Sequence, residues 1–236
     1  MPRRPTAARR WLTAASWPVG VGLTSWNYMW RSTPLHRREV PEAGSPAHLP
    51  PEFPQGVDES DLQHPEGGFG PLFHRRYRTR IREAEVGPEQ LMAVIKEKPN
   101  RAAPTKFARF QKVLGDPGRM DVGDEYVVRM PGPWDGPVRV ISSQDCSFRL
   151  ATLTGHLEAG QIEFRVASGE LIAFEIESWA RSADRIVDLL YSRVRMAKEI
   201  QLHMWISFLE GVVSLSGGRM TGGIEIDTRR IDGSFS

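Results

Sequence analysis

Gln161-Ile162-Glu163-Phe164-Arg165-Val166-Ala167, then the turn residues Ser168-Gly169-Glu170, then Leu171-Ile172-Ala173-Phe174-Glu175-Ile176-Glu177-Ser178-Trp179 is the stretch on which the fold turns. In the first run Ile162, Phe164 and Val166 oppose Glu163 and Arg165; in the second Ile172, Phe174 and Ile176 oppose Glu175 and Glu177. Such alternation is the period of a strand with one face buried and the other solvated. The short glycine-containing connection makes the pair an antiparallel hairpin. An apolar sheet face needs a cover, and the cover follows directly.

After Arg181-Ser182 the pattern changes to three-four spacing. Val187, Leu190, Val194, Ala197, Gln201, Trp205, Phe208 and Val212 form a stripe, with Arg185, Asp188, Ser192, Arg195 and Glu199 opposite. The spacing predicts one helix of about thirty residues, ending at Val213 and long enough to lie across a whole sheet. Gly217-Gly218 stops it, and residues 216–236 read as a polar tail. Upstream, strands are expected near Glu125–Met130, Pro137–Ser142 and Phe148–Thr154, completing a meander. A short helix starts at Gly87-Pro88, with Leu91, Met92, Val94 and Ile95 on its apolar side. A second is expected from Pro104, carrying Phe107, Phe110 and Leu114. The first strand is His74–Arg82, with His74, Arg76, Arg78, Arg80 and Arg82 on a wet basic face and Tyr77, Thr79 and Ile81 on the other. The predicted fold is α+β: a curved antiparallel sheet wrapped around a long C-terminal helix, with two short helices after the first strand, in a domain spanning 72–215.

Two segments precede that domain. Residues 1–32 hold Arg3, Arg4, Arg9 and Arg10, then Trp11–Trp30, which has four tryptophans and no charge, then Arg31. Tryptophan at both ends with flanking arginine is an interfacial pattern, so a membrane surface is an expected partner for Trp11 to Trp30; an equal alternative is packing on the protein itself. Residues 33–71 are rich in Pro and Gly without apolar period, a linker or extended wrap, because proline removes backbone donors. A chain begun near Gly70 is therefore expected to fold.

Composition narrows the functional classes. The 236 residues carry 31 basic and 29 acidic groups, a net charge of +2, so no broad polyanion-binding field exists and nucleic acid is not an expected partner. Cys146 is the sole cysteine, which excludes an intrachain disulfide and a thiolate cluster and suits a cytoplasmic domain. The six histidines show no metal-ligand spacing, so neither metal nor cofactor is expected.

Phe148-Arg149-Leu150-Ala151-Thr152-Leu153-Thr154-Gly155-His156-Leu157-Glu158-Ala159-Gly160, followed by Phe164, resembles the Thr-Leu-x-Gly-His-x-Glu-x-Gly-x-x-x-Phe run of the family catalogued as domain of unknown function nineteen-ninety. Ser178-Trp179-Ala180-Arg181 and Ala197-Lys198 with Gln201 continue the match. The resemblance covers roughly Leu72 to Val213 and implies the helix-grip fold shared by START-like and Bet v 1-like proteins. By superfamily analogy it also implies a cavity between sheet and helix for an apolar ligand, although a fold alone does not fix function.

Candidate site residues follow from these elements. His156 and Glu158 sit in a turn between strands, either as an acid–base pair or as groups that fix the hairpin. Trp179 and Arg181 join the last strand to the helix; Arg181 either binds a ligand carboxylate or phosphate or pairs with Glu158. Gln201 interrupts the apolar stripe, so it satisfies a strand backbone group or contacts a ligand. Tyr77, Phe148, Phe164, Phe174, Met204 and Trp205 line the interior as core or as pocket wall. The expected site is a cavity of roughly a few hundred cubic ångströms, bounded by Phe164 and Phe174, with Thr154, His156, Glu158, Trp179, Arg181 and Gln201 as its polar fixings. The leading expectation is a START-like protein that binds a hydrophobic or amphipathic small molecule. The alternatives are a cyclase or hydratase using His156 and Glu158, and a structural or adaptor protein with a solid interior.

Overall fold

The computed structural model describes residues 33–42, 48–103, 108–129, 135–183 and 195–232. Among them are nine strands, β1 (Leu35–Glu42), β2 (Phe69–Arg82), β3 (Arg109–Leu114), β4 (Glu125–Arg129), β5 (Asp135–Gln144), β6 (Ser147–Thr152), β7 (Glu158–Ala167), β8 (Ile172–Ser182) and β9 (Arg219–Ile231), and two α-helices, α1 (Pro88–Glu97) and α2 (Arg195–Leu215). The strands make one sheet in the order β1-β9-β2-β8-β7-β6-β5-β4-β3. Neighbours are antiparallel except β1 and β9, which run parallel. The large antiparallel sheet gripping a C-terminal helix is the helix-grip arrangement expected from the sequence.

The core is built in rows across the strands. Ile226 of β9 faces Tyr77 of β2, Tyr77 faces Ile176 of β8, Ile176 faces Phe164 of β7, and Phe164 faces Phe148 of β6. All five are buried, each contributing about 1.5–3 kcal/mol of transfer energy. The helix seals this row: the Phe164 ring centroid lies 5.5 Å from that of Trp205 and 5.4 Å from that of Phe208. Leu202, His203, Met204, Trp205 and Ile206 are all buried. Five consecutive residues pass through more than a full helical turn, so α2 is enclosed on every side at that level. Gly211 permits part of this enclosure, since a Cβ there would stand 2.2 Å from the carbonyl oxygen of Ala102.

The opposite face of the sheet is covered by the chain between 48 and 68. Leu62, with Phe53 and Val57, packs on Ile141, Ala151 and Leu153 in a second apolar cluster. A register shift between Val140 and Ser142 brings Ile141 to that side of β5. Main-chain bonds hold the segment down, Gln63 N to Thr152 O at 2.8 Å and Thr154 N to Asp61 O at 2.8 Å. Arg139 Nη1 adds a bond to Asp58 O at 2.6 Å, and Gln161 Nε2 one to Pro51 O at 2.5 Å. Prolines suit this role, because a strap held largely by side chains from beneath needs few donors of its own.

Three sequence expectations are corrected. The second short helix is absent among the described residues; 109–114 is strand β3, where Phe110 is buried between exposed Arg109 and Gln111, and Asn100 pins it by bonding both Phe110 N and Phe110 O at 2.8 Å. The expected polar tail is β9, inserted between β1 and β2; Gly222-Gly223 and Arg229-Arg230 interrupt its alternation and mask the strand signal. Those glycines lie at φ +74° and +80° in the irregularity where Thr79 pairs with Ile224 but Arg80 with Thr221. Of the two readings of 33–71, linker or wrap, the segment is the wrap: it supplies β1, the start of β2 and the strap, so a chain begun at Gly70 would lose β1 and the cover alike. The helix expected over 183–213 is described from Arg195 onward; its earlier part, like the Trp11–Trp30 segment, lies outside the described residues. Among the described residues no helix is long and apolar enough to cross a membrane.

Candidate functional site

Alternation along β2 places Arg75 with Tyr77, Thr79 and Ile81 on the side that faces α2, a guanidinium in an apolar wall. Arg75 is 6% exposed. Its Nη1 donates to Gln201 Oε1 at 2.9 Å, and Gln201 Nε2 donates to Glu158 Oε2 at 3.0 Å. The Arg75 and Glu158 side chains are themselves 3.7 Å apart, and the guanidinium lies 4.7 Å from the Phe73 ring centroid. Sheet and helix are thus joined by a charged, hydrogen-bonded chain at one end of the aromatic core. Charges this deep are tolerated only when paired and bonded.

Next to Arg75 the interior has polar atoms of another kind. Ser178 of β8 lies opposite Arg75 on one side and Ile162 on the other. Its Oγ is buried without a hydrogen-bond partner among the described residues, and so is Nε1 of Trp205, one helical turn beyond Gln201.

The other expected site residues are distributed differently. The His156 imidazole serves its own hairpin: Nδ1 accepts from Glu158 N at 2.9 Å and lies 3.1 Å from Glu158 O. Burial pulls its pKa below the ordinary value against the opposing charge of Glu158. The Glu158 carboxylate turns instead toward Gln201, so the two side chains do not meet as an acid–base pair. Gln63 completes the turn, donating from Nε2 to His156 O at 3.1 Å and to Glu158 O at 3.0 Å. Thr154 is exposed and bonded to Asp61 of the strap. Phe164 and Phe174 are fully buried on the inner face. Gln201 bridges two charged side chains, a role that neither a backbone contact nor a ligand contact anticipates.

Trp179 and Arg181 stand on the face away from α2. Trp179 stacks on His74, ring centroids 5.3 Å apart, and Arg181 Nη1 donates to Pro65 O at 3.3 Å. Glu158 lies on the other side of the sheet, so no ion pair with Arg181 forms. The face expected to be wet and basic carries a ladder of paired charges. His74 is buried, its Nε2 2.7 Å from Glu177 Oε1; Arg76 Nη2 reaches the same oxygen at 2.8 Å, and Arg165 Nη2 reaches Glu177 Oε2 at 2.5 Å. Arg165 also bonds Glu175 on the neighbouring strand. Burial alone would push the Glu177 carboxyl up. The bonds from His74 and Arg76 and the charges of Arg76 and Arg165 more than offset this, holding it at about 2.

Arg75, Ser178 and the Glu177 ladder were not singled out in the sequence. The signal for Arg75 was present: it is the one charged residue between Phe73 and Ile81 in phase with the apolar positions. No cluster of three or more metal-ligating side chains occurs among the described residues.

The family profile described as Domain of unknown function (DUF1990) matches residues 42–207. The chain belongs to this family. Its match includes the Glu158 hairpin, Arg75, Ser178 and Gln201, but stops short of β9. No curated protein matches the chain. Solved structures with a similar course of chain include a major latex-like protein from Panax ginseng, 13% identical, TM-score 0.43, covering 62% of this chain and 99% of that one. Norcoclaurine synthase from Thalictrum flavum, in complex with dopamine and hydroxybenzaldehyde, is 10% identical with TM-score 0.42, covering 61% and 87%. A hypothetical protein from Helicobacter pylori is 10% identical with TM-score 0.44, covering 60% and 86%. Likenesses of this degree carry no information about what the DUF1990 chain binds.

Proposed function

We propose that this DUF1990 protein binds an amphipathic small molecule between its sheet and α2, with the polar end beside Arg75, Gln201 and Glu158 and the apolar part against Phe164 and Trp205. The supporting observation is the Arg75–Gln201–Glu158 chain at one end of the aromatic interior. A solid core gains little from buried charge, because apolar residues of similar volume are usually as stable. A polar group at one end of an aromatic wall is the pattern of small-molecule sites. Binding is favoured over acid–base catalysis by His156, whose imidazole is engaged with the main chain of its own turn.

Native mass spectrometry of the full chain, purified gently, tests this. The expected result is an additional mass released by organic extraction, present in the wild type and depleted in Arg75→Lys, which keeps the charge but loses the fork. A bare polypeptide mass for the wild type, with no thermal stabilisation by a panel of apolar and amphipathic compounds, would remove the binding function and leave a structural role.

A further inference from the structure

The interior names a feature of the ligand. Trp205 is 6% exposed and Ser178 is 4% exposed, and both Trp205 Nε1 and Ser178 Oγ lack a hydrogen-bond partner among the described residues. An indole N–H is a donor only, and a hydroxyl can donate by rotation. A buried donor left unpaired is costly, and most such atoms in folded proteins have partners.

The two groups face the interior from its two layers, Ser178 from the sheet and Trp205 from α2. The Trp205 ring lies against Phe164, 5.5 Å between centroids. Phe164 pairs with Ile176, and Ser178 is the next residue of β8 on the same face, one step of roughly 7 Å along the strand. Both donors thus belong to the interior between the sheet and α2 into which Arg75 and Gln201 also reach.

We infer that Ser178 and Trp205 form a subsite for a hydrogen-bond-accepting oxygen, so that the ligand is an apolar molecule bearing a carbonyl or hydroxyl oxygen rather than a plain hydrocarbon chain. This rests on the proposed binding between sheet and helix and adds a requirement to it. A site that hydrogen-bonds a ligand oxygen rejects the analogue lacking it, because the donors are then left buried and unpaired.

The test compares the aryl ketone acetylnaphthalene with ethylnaphthalene, its counterpart with methylene in place of carbonyl, by isothermal titration calorimetry on the full chain. The ketone is expected to bind at least roughly tenfold more tightly, as one good hydrogen bond requires. Trp205→Phe keeps a ring against Phe164 and removes the N–H; Ser178→Ala removes the hydroxyl. Each is expected to reduce the ratio of ketone to ethylnaphthalene affinity severalfold. Equal affinity of the two probes for the wild type overturns the oxygen subsite and leaves the binding function intact. So does a ketone preference that survives in both variants. Failure of both probes to bind overturns the subsite and counts against the proposed function itself. Circular dichroism shows whether each variant is folded, and the two substitutions on different elements guard against one that is not.

Discussion

Replacing Glu177 by Gln tests whether the buried ladder on the strap side contributes to stability through charge. The carboxyl is held at about 2 in the fold against an ordinary 4.5. At 1.36 kcal/mol per unit this difference would give about 3 kcal/mol. Arg76 and Arg165, two of its partners, are each 43% exposed at the side chain, so screening reduces the figure to about 2 kcal/mol. The folded pKa is depressed, so the contribution is complete above the unfolded value and is lost as pH falls from about 4.5 toward about 2. Urea unfolding of wild type and E177Q at a series of pH values measures it. The expected gap is about 2 kcal/mol near neutrality, closing steadily in acid as the wild-type carboxylate takes up its proton. A gap that stays constant across that window would mean that Gln fails through packing or hydrogen-bond geometry, and the electrostatic account of the ladder would be wrong.

Gln201→Leu removes two hydrogen bonds to buried charged groups and returns some apolar burial. A net loss of about 2 kcal/mol is expected, a fall in Tm of roughly 4–8 °C by calorimetry; an unchanged or higher Tm would refute the bridge between Arg75 and Glu158. A chain ended at Gly218 lacks β9, leaving β1 without its partner and one edge of β2 open. It is expected to show no cooperative thermal transition, and a dispersed amide spectrum with a sharp melt would show that β9 is dispensable.

The sheet from β4 to β8 was legible because each strand carries its own period-two signal and short turns leave few ways to connect them. Helix α1 was marked by Gly87-Pro88 and a clean apolar side. The elements that were missed depend on tertiary contacts. β3 needs Asn100 to claim both backbone groups of Phe110, and β9 needs partners on both edges to hold a strand containing two adjacent glycines. Within the site, Phe164, Phe174 and Gln201 were placed on the interior by periodicity alone. Trp179 and Arg181 lie on the face away from α2, because the alternation of Phe174 and Ile176 continues through Ser178 and Ala180 to the end of the strand. The same alternation would have shown that Ser178, and not Trp179, looks toward the helix.

The parallel pairing of β1 with β9 has a kinetic consequence. β9 lies between β1 and β2 although it follows both by well over a hundred residues, so the sheet cannot close from one end to the other as the chain leaves the ribosome. Until β9 arrives, β2 offers a fourteen-residue open edge, and such an edge invites pairing with another chain. Arg76, Arg78, Arg80 and Arg82 alternate along it, and like charges on two such edges would repel each other. The arginines that meet Glu177 and Glu225 in the finished fold would thus guard the nascent one, and folding should be slow, as closure between distant segments generally is.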